Sequence, residues 1–133
     1  MTKQLNNLAT DIYEANKAKG FWDKERNVGE MLMLIVTELA EAMEAHRGRS
    51  NKLQKAKFLN SIQDIELSGY ETTSEMFKEH FEEYIKDTLE DEIADSLIRI
   101  LDLCGGLNID IDFHVENKLK YNSMREKLHG KKY

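Results

Sequence analysis

The sequence predicts an all-α protein, a bundle of four to five helices, on three observations. Its 133 residues contain no proline, so the strongest helix breaker is missing throughout. Apolar residues recur at three- and four-residue steps along most of the chain. The periodic runs are punctuated by residues that start or stop helices, as at Gly20, Asn27, Thr73 and Gly105-Gly106.

The first run carries Leu5, Leu8, Ala9, Ile12, Tyr13 and Asn16, which predicts an amphipathic helix from Thr2 to about Lys19, ended by Gly20. Phe21-Trp22 then puts two aromatics in a connection. Phe21 is expected to fold back as a plug on the helix ends. Trp22 fits the same role or that of a flat stacking surface for a nucleobase.

Asn27 and Glu30 form a capping pair for the second helix, which runs to about Arg47. One stripe holds Met31, Leu34, Ile35, Glu38, Ala42 and Ala45, and a second holds Leu32, Val36, Leu39 and Met43. A helix apolar on so much of its circumference is central, wrapped by its own chain or covered by a second subunit.

A short helix is expected over 51–63, with Asn51 as cap and Leu53, Ala56, Leu59 and Ile62 along one side. The stretch 64–73 reads as a loop, and about 50–74 as a connecting insertion in an otherwise single domain spanning 1–133. Thr73 or Ser74 caps the next run, with Met76, Phe77, His80, Phe81, Tyr84 and Ile85. It continues through Leu89, Ile93, Leu97, Ile100, Leu101 and Cys104 to Gly105-Gly106. About thirty residues is long for one globular helix, so a break is expected near Asp87. A last helix runs from Ile111 or Asp112 to about Leu128.

Composition narrows the function classes. The single cysteine, Cys104, permits no intrachain disulfide and points to a reducing compartment. The longest apolar run, Met31 to Val36, is too short to span a bilayer, and no apolar segment of a secretory signal follows Met1-Thr2-Lys3. The expected location is the cytoplasm, without a membrane partner. A net charge of −6 argues against general nucleic-acid binding. Acids crowd Glu75 to Asp95, whereas Lys118, Lys120, Arg125, Lys127, Lys131 and Lys132 make the C-terminal stretch basic. The two regions could simply pair, or they could divide a task, carboxylates holding a metal and basic groups holding the phosphates that it bridges.

The acids in the second helix stand out. Glu38 lies within an apolar stripe, and Glu41, one turn on, borders it. Two like charges held there are costly unless a cation sits between them. Glu92 and Asp95 repeat the same spacing on a later helix. Four carboxylates from two helices describe a site for a hard divalent cation, most commonly magnesium. Glu92, Asp95, Ser96 and Arg99 also share a side about opposite Leu97 and Leu101, so this pair equally fits a solvated face with an ion pair between Asp95 and Arg99. Lys118, Tyr121, Asn122 and Arg125 fall on one polar face of the last helix, a set suited to phosphates and also to plain solubility.

Glu38-Leu39-Ala40-Glu41 followed by Glu92-Ile93-Ala94-Asp95 resembles the ExxE…ExxD signature of the MazG-like all-α nucleoside triphosphate pyrophosphohydrolases. Lys19-Gly20-Phe21-Trp22, Ile98-Arg99-Ile100-Leu101-Asp102-Leu103, Lys118-x-x-Tyr121-Asn122-x-x-Arg125 and His129-Gly130-Lys131-Lys132 are similar as well. The resemblance covers most of the chain outside about Ser50 to Ser74. It implies a bundle completed by dimerisation that hydrolyses a (deoxy)nucleoside triphosphate between the α and β phosphates, giving a monophosphate and pyrophosphate, as nucleotide-pool housekeeping. Glu38, Glu41, Glu92 and Asp95 would be ligands of magnesium, for which manganese substitutes. The catalytic base would be one of these acids, with Glu38 and Glu41 the leading candidates. Lys118, Tyr121, Asn122 and Arg125 would contact phosphates or sugar, and Trp22 would stack on the base. The stretch between Glu41 and Glu92 is longer than in compact members of the family, which leaves substrate choice, and dimer against tetramer, open.

Three other readings compete. Phosphoribosyl-ATP pyrophosphatase has similar acids and chemistry. A di-iron bundle needs two Glu-x-x-His motifs, and only Glu126-Lys127-Leu128-His129 fits. A non-catalytic helical interaction protein would account for solvated acids but not for Glu38 among Met31, Leu34, Ile35 and Ala42.

Overall fold

A computed structural model describes residues 4–49, 52–127 and 132. Among the described residues six α-helices follow one another, more than the four to five expected: α1 Gln4–Ala18, α2 Val28–Glu44, α3 Lys55–Leu67, α4 Ser74–Tyr84, α5 Leu89–Gly106 and α6 Ile111–Ser123. No strand occurs among the described residues, and none of the helices is long and apolar enough to cross a membrane. The chain forms two compact units, one of Met1–Met31 with Ile98–Tyr133 and the other of Leu32–Leu97.

In the first unit, Ala9, Leu101 and Cys104 are buried together, with Leu5, Ile12 and Ile111 packed around them. Burial raises the Cys104 thiol pKa, in keeping with a small core residue. The N-termini of α1 and α6 cap each other. Asp112, buried at the start of α6, accepts from the amides of Leu5 (3.3 Å) and Asn6 (2.9 Å). Asn6 returns the contact, its Oδ1 accepting from the Asp112 amide at 3.3 Å and its Nδ2 donating to Asp110 at 2.7 Å. Asp110 itself caps α6 by accepting from the Phe113 amide at 3.1 Å. The buried carboxylate of Asp112 thus takes two amide donors at the positive end of α1.

The glycines expected to stop α5 act differently. A Cβ on Gly105 would lie 2.6 Å from the backbone oxygen of Ala9, and one on Gly106 would strike the Trp22 ring. Both positions let α1 and the indole approach closely. The helix is ended instead by Asn108 at φ 53°, with the Ile109 amide reaching back to the Cys104 carbonyl at 2.9 Å, a Schellman closure.

In the second unit α3 and α4 form a helical hairpin. Phe58 meets Phe77 edge to face at 5.7 Å. The Gln54 amide donates to the Tyr84 carbonyl at 3.0 Å. Here the sequence-based expectation needs correction. The helix expected over 51–63 occupies 55–67, so the loop expected from 64 shrinks to the few residues before α4. Asn51 lies outside the described residues, and the residue preceding α3, Gln54, makes no side-chain cap bond. The inward stripe is Phe58, Ile62 and Ile65, while Leu59 is exposed. Ile65 carries the apolar period past the polar residues that suggested a loop.

Other boundaries agree with the local chemistry. Asn27 Oδ1 accepts from the Glu30 amide at 3.2 Å, and Thr73 Oγ1 from the Met76 amide at 3.2 Å. Gly20 has φ 87° at the end of α1. The expected break falls at Asp87, whose φ is 60°. Thr88, fully buried, then starts α5 by accepting from the Asp91 amide at 3.2 Å. The last helix is shorter than expected, with Met124 as its C-cap, so Arg125 lies just past its end.

Candidate metal and substrate site

The α2 stripe is buried at Met31, Ile35, Glu38 and Ala42, while Leu34 is partly exposed. Glu38 therefore does project from an inward face. Glu41 is one turn on and exposed. On α5 the solvated-face reading fails for Glu92 and Ser96: both are buried, and Glu92 is only 5% exposed. Ile93 and Leu97, expected to point inward, are exposed. The helix is rotated so that its acidic side faces in, which periodicity of apolar residues alone could not reveal.

This rotation brings Glu92 to the α2 pair. Carboxylate oxygens of Glu38, Glu41 and Glu92 all lie within 4.8 Å of one another. Oε2 of Glu92 is buried with no hydrogen-bond partner among the described residues. Burial, then the charge of Glu41, a hydrogen bond with Glu41 and the charges of Asp95 and Asp91 push the Glu92 pKa up to about 7. Without a cation this site keeps a proton that an exposed glutamate would release.

Asp95 is exposed and stands outside this triad of oxygens. It lines the same cavity of about 390 Å³, together with Glu41, Asp91 and Glu92, and with Phe77, Lys78, Phe81, Glu82, Lys86 and Asp87 from α4 and the turn after it. Asp91 is tied to the turn before α5, its Oδ2 accepting from the Asp87 amide at 3.0 Å. The two α4 aromatics read as ordinary core positions in the sequence; their place on a cavity wall depends on how the α3–α4 hairpin packs.

The remaining candidates belong to the other unit. Trp22 Nε1 donates to Asp102 at 3.0 Å. Tyr13 meets the indole edge to face at 5.1 Å, and Arg26 lies 5.4 Å from the ring centroid while pairing with Asp102 at 3.8 Å. Phe21 is exposed, so the plugging role expected of it falls to its neighbour. The signal for the buried partner, Asp102, was absent because it is a long-range contact. On and just beyond α6, Lys118 Nζ and the Arg125 guanidinium lie 5.1 Å and 5.8 Å from the Tyr121 ring centroid. The spacing thus does bring these three together. Asn122 is partly buried beside them in sequence.

Comparison with protein-family models, curated proteins and solved structures gives no match. Three carboxylates at this spacing, one of them with an orphaned buried oxygen, make a donor set of the all-oxygen kind that hard divalent cations take.

Proposed function

We propose that the protein is a magnesium-dependent pyrophosphohydrolase of the MazG-like all-α type, cleaving a (deoxy)nucleoside triphosphate between the α and β phosphates. The observation that carries this reading is the buried, unpartnered oxygen of Glu92 beside Glu38 and Glu41. A carboxylate so placed is costly to the fold unless a proton or a cation compensates it. A purely structural role gives no reason to keep it.

Glu38, Glu41 and Glu92 would hold the ion, with Asp95 a fourth acid on the same cavity; manganese suits the same oxygens. When bound, magnesium would neutralise charge on the phosphate oxygens and lower the pKa of a water. The protein's own share is to fix the donors on two helices and to accept the proton of the attacking water at a carboxylate, Glu38 or Glu41 being the candidates. Lys118, Tyr121, Asn122 and Arg125, in the first unit, offer cations and an aromatic of the kind suited to phosphates or sugar.

Dimerisation belongs to the same proposal. Leu32, Val36, Leu39 and Met43 on α2 are about half exposed, as are Ile93 and Leu97 on α5, an apolar surface suited to a second copy of the chain.

The test is pyrophosphate release from a panel of ordinary and modified deoxy- and ribonucleoside triphosphates, with and without magnesium, by wild type and Glu41→Gln. Magnesium-dependent release lost in the variant is the expected result. A wild type that cleaves no triphosphate overturns the reading.

A further inference from the structure

We infer that the α4 wall of the acid-lined cavity is the nucleotide-binding wall, Phe77 stacking on the base while Lys78 and Lys86 hold the phosphates against the carboxylates. The inference rests on the pyrophosphohydrolase reading and assigns its substrate subsite to residues of α4 and the turn that follows it.

Helices α2 and α5 line the cavity with Glu41, Asp91, Glu92 and Asp95; α4 and the turn after it add Phe77, Phe81, the lysines Lys78 and Lys86, and two further acids, Glu82 and Asp87. Its volume, about 390 Å³, falls in the range of small-molecule sites. Phe77 and Lys78 are adjacent on α4, with Phe81 one turn on, and Lys86 follows just after the helix ends. The Phe77 ring is braced, edge to face against Phe58 at 5.7 Å and stacked on Phe81 at 6.2 Å with 21° between planes. Yet Phe77 is 48% exposed. A rigid aromatic held half in water on the wall of an acid cavity presents a flat surface that any base can cover. A triphosphate could not lie against six acids unaided. Lys78 and Lys86 are the cations among the residues that line the cavity, point charges suited to phosphate oxygens. Trp22, by contrast, has its indole N–H committed to Asp102.

Equilibrium calorimetry with two probes separates the roles. One is an α,β-imido deoxynucleoside triphosphate, which cannot be cleaved at the proposed bond; the other is inorganic tripolyphosphate, which has no base. Phe77→Leu keeps an apolar side chain against Phe58 and removes the plane. It should weaken the nucleotide probe about tenfold and leave tripolyphosphate unchanged, and Phe77→Trp should restore binding. The double variant Lys78→Gln/Lys86→Gln should weaken both probes about tenfold. Thermal melts check that each variant folds. If Phe77→Leu weakens both probes equally or neither, the stacking role is overturned. If the lysine variant binds both probes as wild type does, the phosphate role is overturned. If wild type cleaves triphosphates but these variants bind normally, only this inference fails; if wild type binds neither probe, the parent reading fails with it.

Discussion

Glu92 on α5 and Glu41 on α2 stand close enough to share a hydrogen bond, and with burial and neighbouring acids this pushes the Glu92 pKa from its ordinary 4.5 up to about 7. The consequence for the metal-free protein has a definite sign. Below pH 4.5 both folded and unfolded chains hold the proton, and Glu92 makes no pH-dependent demand. Between 4.5 and 7 the unfolded chain releases a proton that the folded one keeps, so stability falls as pH rises; above 7 the penalty is constant. Glu92→Gln, which mimics the protonated acid, should therefore gain on wild type across that interval, by about 2 kcal/mol once solvent screening is allowed for. Thermal melts in chelator from pH 4.5 to 8 measure the gap. A gap that does not change with pH sinks the assignment.

Magnesium should reverse that penalty. An ion that binds only the folded chain stabilises it by about 2.7 kcal/mol at a hundred times its dissociation constant. Because the proton on Glu92 must leave first, the stabilisation should be larger at pH 8 than at pH 6. Melts with chelator, magnesium or manganese at the two pH values test this, and Glu38→Gln should abolish most of the shift. An equal shift in Glu38→Gln would place the ion elsewhere.

How far the sequence reached depended on whether a feature was local. Asn27 and Thr73 were legible because a cap involves residues three or four apart, and the break at Asp87 because the periodic run was too long for one globular helix. The inward stripe of α2, with Glu38 in it, was legible because Met31, Ile35 and Ala42 leave little choice of face. The orientation of α5 was not. Ile93 and Leu97 outweigh Glu92 and Ser96 in any hydropathy argument, and only the packing of the unit turns the acids inward. The same limit hid Gly105, which reads as a stop but serves a close approach to Ala9, and it hid the aromatic wall on α4. The repeated spacing supplied Glu92 and Asp95 as a pair; the geometry brings Glu92 into the triad, while Asp95 lines the cavity outside it.

The mutual cap between α1 and α6 should behave as one unit. Asp112→Ala removes the acceptor for two amides and should cost about 1–2 kcal/mol, and Asn6→Ala about 1 kcal/mol. Because each side chain bonds the first turn of the other helix, the double variant should lose less than the sum of the two. Urea unfolding of the four proteins gives the coupling directly, and strict additivity would mean that the two caps act independently.

The exposed apolar surface of α2 gives a prediction about assembly. Leu32, Val36, Leu39 and Met43 recur at helical spacing, so they form a continuous stripe rather than scattered surface residues. Glu38 and Ala42 lie on the other, buried side of the same helix. A charge placed on the stripe should therefore disturb association without entering the acid site. If a second copy covers the stripe, wild type should sediment as a dimer or a dimer of dimers. Leu39→Glu would then place a charge in the contact and weaken association by about 2 kcal/mol or more. The helix itself should survive, since glutamate is a good helix former at an exposed position. Sedimentation equilibrium over a range of concentrations distinguishes the cases, with far-ultraviolet circular dichroism as the check on folding. A wild type that stays monomeric at high concentration would leave the stripe to another partner and remove dimerisation from the proposal.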